Sequence, residues 1–266
     1  MDPISLYILS LKIGASAMVA LWSASLGKHD ASLADLWWGL GFLVATLVVW
    51  AMSGTGAAPL QLLILGVVAV WALRFTWLVL RRRRAHPGED PRYASLRAAW
   101  GRGFWWKSLF VVFLLQAALQ WLVALAPMAA MTAAPAGIGP VAMLGAAVAV
   151  AGLVLETVAD SQLDAHRRAR PETLCATGLR AVVRYPNYLG EMLTWWGIWA
   201  MAAAAGAWWT LFSPVLLTVL LARVSGAPML EERLARHAGY EAWRARTPAF
   251  VPRPILDAIG RIAPAR

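Results

Sequence analysis

Arg184-Tyr185-Pro186-Asn187-Tyr188-Leu189-Gly190-Glu191 runs straight into Met192-Leu193-Thr194-Trp195-Trp196, so a basic loop turns into a tryptophan-rich apolar segment. Pro186 has no backbone N–H to satisfy and suits a first helical turn, so a helix is expected to begin there. From that start Asn187 and Glu191 share one face, about 6 Å apart along the axis. Glu191 then falls inside an apolar segment, where an ionisable group is costly and marks a functional candidate. A polar cluster at the mouth of a membrane span is the reading that decides the fold.

The rest of the chain follows the same pattern. It has 266 residues, is 60% hydrophobic and carries a formal net charge of +10. Apolar runs this long with so few charges exclude an ordinary soluble domain. Seven segments are expected to span a hydrocarbon core: residues 5–26, 33–51, 60–80, 106–126, 137–160, 189–205 and 207–224. The expectation is an all-α integral membrane protein, one domain over residues 1–266, with a cytoplasmic tail over 225–266. Only Gly206 separates the last two spans, which predicts a tight helical hairpin. Lys12 interrupts the first apolar run and no basic region precedes it, so no cleavable signal peptide is expected.

The arginines set the orientation. Arg81 to Arg84, Arg92, Arg97, Arg102 and Lys107 lie between spans three and four, and Arg167, Arg168, Arg170, Arg180 and Arg184 between spans five and six. Arg233, Arg236, Arg244, Arg246 and Arg253 follow span seven, whereas the connections at 52–59, 127–136 and around 206 carry no Lys or Arg. The positive-inside rule puts the amino terminus outside and the carboxyl terminus in the cytoplasm. The basic charge is then topological, and no nucleic-acid partner is expected.

Cys175 is the only cysteine, and His29, His86, His166 and His237 are scattered, so neither a disulfide nor a metal site is expected. Trp37, Trp38, Trp105, Trp106, Trp195, Trp196, Trp208 and Trp209 stand at span ends, where indoles anchor to the interface. Small residues in the fifth span, among them Gly145, Ala149 and Gly152, suit close helix packing. After residue 228 the tail reads as an amphipathic helix with Glu231, Glu232, Tyr240 and Trp243, then an extended segment Thr247 to Pro252.

Polar residues within the spans are few. Asp35 opens span two, either as a helix-start acid complementing the dipole or as a carboxyl that handles a proton or holds a carbonyl. Arg74 lies seven residues before the arginine cluster, which fits snorkelling or a buried counter-ion. Gln116 and Gln120, one turn apart, read as interhelical hydrogen bonders. Glu156 and Asp160 stand at i and i+4 near the cytoplasmic end of span five, where two carboxyls on one face repel and are costly to desolvate. Such groups, with Gln162, suit ribose hydroxyls or a carboxamide edge. Arginine is the usual planar donor to phosphate, and Arg167, Arg168 and Arg170 lie between those acids and the Arg184–Glu191 cluster. Neither a dinucleotide-binding glycine motif nor a P-loop is present.

Residues from about 30 to 254 resemble a bacterial branch of the membrane steroid 5α-reductases, the 3-oxo-5α-steroid 4-dehydrogenases. The resemblance rests on Asp35-Leu-Trp-Trp-Gly39, Arg81 with Gly88-Glu-Asp-Pro-Arg-Tyr93, Glu156 with Ala159-Asp-Ser-Gln162, Arg184 to Glu191, and Arg246-Thr-Pro-Ala-Phe-Val-Pro252. It implies a seven-helix reductase that holds NADPH in a cytoplasm-facing cavity among its later helices. Asp160, an arginine of the Arg167/Arg168/Arg170 group, Asn187 and Glu191 match positions implicated in cofactor binding. Glu156, Gln162, Arg184, Tyr185, Tyr188, Glu231 and Tyr240 complete the expected cofactor wall. The arginines favour NADPH over NADH, because the additional ribose phosphate seeks cations.

The resemblance further implies hydride transfer to the β-carbon of an α,β-unsaturated ketone, a lipophilic substrate arriving from the bilayer among membrane lipids. A carboxyl on span two and a tyrosine on span three would bind the ketone oxygen. Asp35 falls near the first and Trp71 where the tyrosine is expected, with Arg74 three residues on. An indole can donate one hydrogen bond but delivers no proton at neutral pH. Tyr93, a weaker substitute for that tyrosine, is expected in the following loop. A rival reading is an S-adenosylmethionine-dependent membrane methyltransferase of a lipid or prenyl thiol, because such enzymes share an Arg-x-Pro-x-Tyr-x-Gly stretch and a later Glu-Glu pair, here Glu231-Glu232. A transporter should carry its polar groups near the midplane; here they gather at the cytoplasmic ends.

Overall fold

The computed structural model describes residues 1–255, so the end of the tail expected over 225–266 lies outside the described residues. Among those described every regular element is helical. Helix α1 (Pro3–Lys28) starts where Asp2 accepts the Ser5 amide at 3.0 Å with proline at the first position, and ends at His29 in the left-handed region. A 3-10 turn (Ala31–Leu33) leads into α2 (Ala34–Ser53), and α3 (Pro59–Ala85) again opens on a proline. A short helix α4 (Pro91–Trp100) precedes α5 (Phe104–Ser108), which continues through a π-helical stretch (Leu109–Leu114) into α6 (Leu115–Thr132). The remaining helices are α7 (Pro140–Ala169), α8 (Leu179–Val182), α9 (Pro186–Ala202), α10 (Phe212–Val219), α11 (Ala227–Leu234) and α12 (Tyr240–Arg246).

Six helical stretches are long and apolar enough to cross a membrane, which makes this an all-helical multi-pass membrane protein. The first five expected spans fall on α1, α2, α3, α5–α6 and α7, the last starting at Pro140 and running nine residues past 160 to Ala169. The sixth stretch, Pro186–Leu234, holds both remaining expected segments. The chain doubles back within it. Gly206 adopts φ 95°, a conformation open to glycine, and Thr210 is also non-helical. Trp196 Nε1 donates to Thr218 Oγ1 at 3.1 Å, whereas a straight helix would hold residues 22 apart by about 33 Å.

The chain divides into two compact units: Met1–Ala146 with Ile198–Ser213, and Ala147–Gly197 with the chain from Pro214 onward. In the first, α2 packs against α1, α3 and α6. Gly41 leaves room for Gln120 of α6, whose amide donates to the Trp37 and Trp38 carbonyls at 3.1 and 2.5 Å. Phe42, Ile64, Trp71 and Phe113 are wholly buried, while Val70, Leu73 and Trp77 form a stripe on α3 more than half exposed, as suits contact with lipid tails.

In the second unit α7 and α9 touch backbone to backbone. A Cβ on Gly152 would lie 2.5 Å from both the Gly190 carbonyl oxygen and the Thr194 nitrogen, and one on Gly190 would lie 2.6 Å from the Glu156 nitrogen. Gly152→Leu should therefore force the helices apart, lowering stability by about 1–3 kcal/mol. Denaturation in detergent measures this; an unchanged midpoint would show that the two backbones do not meet there.

Candidate functional site

Polar side chains gather at one place in each unit. In the first, the start of α2 meets the start of α4. Tyr93 Oη donates to Asp35 Oδ1 at 2.6 Å, Arg92 Nη2 donates to Asp35 Oδ2 at 2.8 Å, and Gln116 Nε2 donates to Tyr93 Oη at 3.0 Å. The Tyr93 ring is buried in a cluster with Met18, Ala34, Phe104 and Phe113. The result is a phenol whose hydroxyl is hydrogen-bonded to a carboxylate and whose oxygen accepts an amide N–H.

Local sequence explains the approach. Asp90 accepts the Arg92 amide at 2.9 Å and Pro91 takes the first helical position, so Tyr93 lies in the first turn of a helix rather than in a loop. The connection before α4 is bound to the start of α2. Glu89 accepts the Ala31 amide at 2.8 Å, the Asp90 amide donates to Ser32 Oγ at 3.1 Å, and Arg83 reaches Asp30 at 2.6 Å and Ser32 Oγ at 3.2 Å. Arg97 grips Glu89 through Nε and Nη2 at 2.9 and 2.8 Å. Burial works against the charge on Glu89 and Asp30. It is outweighed by Arg97 and the Ala31 amide at Glu89, and by Arg83 and Ser32 at Asp30, so both carboxyls stay below their ordinary range.

Trp71 lies elsewhere on α2's flank. It is wholly buried, edge-on to Phe42 at 5.5 Å and stacked on Phe75 at 5.3 Å. Phe42 is seven residues from Asp35 along α2, about 10 Å of helix rise. The aromatic side chain bonded to Asp35 is thus Tyr93 of α4, not Trp71 of α3. Arg74 is half-buried one turn beyond Trp71.

In the second unit the helix crossing sets the register. Thr194 Oγ1 donates to the Ala149 carbonyl, and Gly190 abuts Glu156, so α7 and α9 run antiparallel and Asp160 comes level with Asn187. Glu156, Asp160 and Glu191 are buried, and Asn187 is half-buried. The Asn187 Oδ1 atom is enclosed without a hydrogen-bond partner among the described residues. Arg167, Arg168 and Arg170 are exposed at the end of α7. Acceptors beside a cationic edge fit a ligand with hydroxyls and phosphates, as a nucleotide has.

Other expected cofactor residues are engaged by the protein itself. Gln162 Oε1 accepts the Leu179 amide at 2.9 Å. Arg184 donates to the Thr247 carbonyl and to Glu231 Oε1, each at 2.8 Å. Tyr185 is wholly buried, stacked on Tyr188 at 5.9 Å and packed on Phe250 at 5.6 Å. Burial first, and then Glu231, hold its phenol above the ordinary range, so it stays a protonated donor at neutral pH. Tyr240 is buried against Trp243. Thr247 is extended, whereas the chain bends at 249–251 where an extended run to Pro252 was expected; the Pro248 and Ala249 carbonyls accept the Arg184 and Tyr185 amides at 2.8 and 3.1 Å.

Reading the sequence put Tyr93 in a loop, and missed Arg92 as a partner of Asp35 and Gln116 as a partner of Tyr93. Asp90-Pro91 was the available signal, since an acid followed by proline starts a helix.

Residues 21–247 match the model of a family described as a protein of unknown function (DUF1295), and the chain belongs to that family. No curated protein and no solved structure matches it significantly.

A carboxyl held below its unfolded value stabilises the fold above that value and loses this effect as pH falls through its folded one. Thermal stability should therefore drop as pH falls from about 5 to about 3. The gap between wild type and Glu89→Gln should be widest near neutral pH and close below about pH 4. A gap that persists undiminished into acid would remove the Glu89 bridge from this account.

Proposed function

We propose that the chain is an NADPH-dependent membrane reductase acting on the carbon–carbon double bond of an α,β-unsaturated ketone, with a 3-oxo-Δ4 steroid as the substrate class and its 5α-dihydro form as product. The observation that carries this reading is the Tyr93–Asp35 hydrogen bond. An indole at position 71 has no proton to give, whereas the Tyr93 hydroxyl does. With substrate bound, the Tyr93 hydroxyl turns from Asp35 to the ketone oxygen and gives up its proton there as hydride adds at the far carbon, which lowers the barrier. Asp35, itself fixed by Arg92, aims the phenol. Gln116 donates to the phenol oxygen and steadies the charge that builds there as the proton leaves. NADPH, when bound, supplies the hydride. Asn187, Glu156, Asp160 and Glu191 offer acceptors for its hydroxyls and carboxamide, and Arg167, Arg168 and Arg170 offer donors for its phosphates.

The same reading includes seven crossings of a bacterial inner membrane, with the amino terminus outside and the carboxyl terminus in the cytoplasm. The reversal at Gly206 supports two arms in the last stretch, and the arginine-free connections support the orientation. One contact favours the rival methyltransferase reading: the Arg184–Glu231 pair joins the two features such enzymes share. Purified protein separates the two. A fluorescent reduced nicotinamide bound to it supports the reductase, and bound adenosylmethionine overturns it.

Tyr93→Phe and Asp35→Asn should each slow reduction of progesterone-like and testosterone-like enones by about 10²–10⁴-fold while NADPH affinity is kept; full turnover would remove the pair from the chemistry. Asn187→Ala and Glu191→Ala should weaken NADPH binding in folded protein, and unchanged affinity would overturn the cofactor assignment.

A further inference from the structure

Arg180, in the short helix α8 between α7 and α9, is only 3% exposed. Its Nε donates to the Cys175 carbonyl at 3.1 Å, and its guanidinium lies over the Trp243 ring, 5.5 Å from the centroid. Trp243 Nε1 donates in turn to the Arg180 carbonyl at 2.9 Å. A guanidinium has five N–H donors, and taking it out of water is costly unless an opposite charge is paired with it. No carboxylate among the described residues forms an ion pair with Arg180. Among the groups that act on its charge are the Cys175 thiol, the Tyr185 and Tyr188 phenols and a second cation, Arg167. None of these is a carboxylate, so none brings Arg180 a formal counter-charge.

A buried cation beside another cation, with a forked set of donors left over, has the form of an anion site. We propose that Arg180 and Arg167 form a phosphate subsite, in which a nucleotide phosphate supplies the missing negative charge and accepts two parallel N–H bonds from Arg180. The inference rests on the nucleotide reading of the second unit and sharpens it. Adenosylmethionine carries no phosphate, so a ligand that completes Arg180 belongs to the phosphorylated dinucleotides.

Titration calorimetry of the full chain in phosphatidylcholine nanodiscs tests this with 2′,5′-adenosine bisphosphate, adenosine and NADPH as probes. The bisphosphate should bind wild type at least about tenfold more tightly than adenosine. Arg180→Gln should lose about tenfold or more towards the bisphosphate and nothing towards adenosine, with part of the loss restored in Arg180→Lys. Bisphosphate or NADPH binding equally to wild type and Arg180→Gln would overturn the subsite and leave the reductase reading standing. Arg180-dependent binding of the bisphosphate by a protein that does not bind NADPH would do the reverse. Should Arg180→Gln fail to fold, Arg167→Gln at an exposed position should show the same selective loss, and full retention would overturn the pair. Repeating the titration in phosphatidylglycerol nanodiscs separates a lipid source: loss of bisphosphate binding there would overturn the nucleotide assignment in favour of an anionic headgroup.

Discussion

Glu89 accepts the Ala31 amide, and where α4 lies depends on that bridge. The first amides of a helix have no partner within it, and in a largely apolar chain they must find one elsewhere. Asp30 takes the Ser32 amide, Glu89 takes Ala31, and Arg83 and Arg97 hold those two acids in place. The connection between α3 and α4, some 58 residues away in sequence, thereby becomes an extension of the start of α2. Tyr93 reaches Asp35 because its helix begins at this clamp. The bridge is positional, and the geometry at Asp35 inherits its precision from it.

This explains what the sequence could and could not disclose. The spans were legible because lipid leaves a helix no choice but to satisfy its own backbone and turn apolar side chains outward, which writes length and hydropathy into the chain. The reversal at Gly206 was legible for the same reason, since two apolar runs met at one glycine. Tyr93 was not. Its helix is ten residues long, carries two arginines and has no hydropathy signal, so it reads as loop. Gln116 was read as an interhelical bonder, and it is one, but periodicity cannot say that its partner is a phenol. Trp71 was expected at the carboxyl by alignment, yet its ring packs two turns along α2 against Phe42.

In the second unit the small residues of α7 announced close packing without naming a partner. Contact between Gly152 and Gly190 is a matter of register, fixed only when the helices cross. The tail shows a different limit. Its grip on Arg184 and Tyr185 is made through backbone carbonyls of Pro248 and Ala249, and such bonds leave no signature in residue type. What residue type did disclose was the polar cluster from Glu156 to Glu191, because burying carboxyls beside apolar spans is costly enough to require a reason.

The loop arginines show how three explanations of one charge separate. Arg167, Arg168 and Arg170 are exposed, and the proposed orientation, with its excess of cations on the cytoplasmic face, accounts for their presence. Arg184 needs a different account, and the tail supplies it: a carboxylate and a carbonyl take its two terminal nitrogens. Neither reason extends to Arg180. A topological charge gains nothing from burial, because it acts equally well in water, and a structural clamp for Trp243 would work with a neutral donor. Burial of a full charge with only a carbonyl and an indole face for company is intelligible when an anion joins them, and the nearby Arg167 makes that anion's charge, rather than its shape, the property the loop selects.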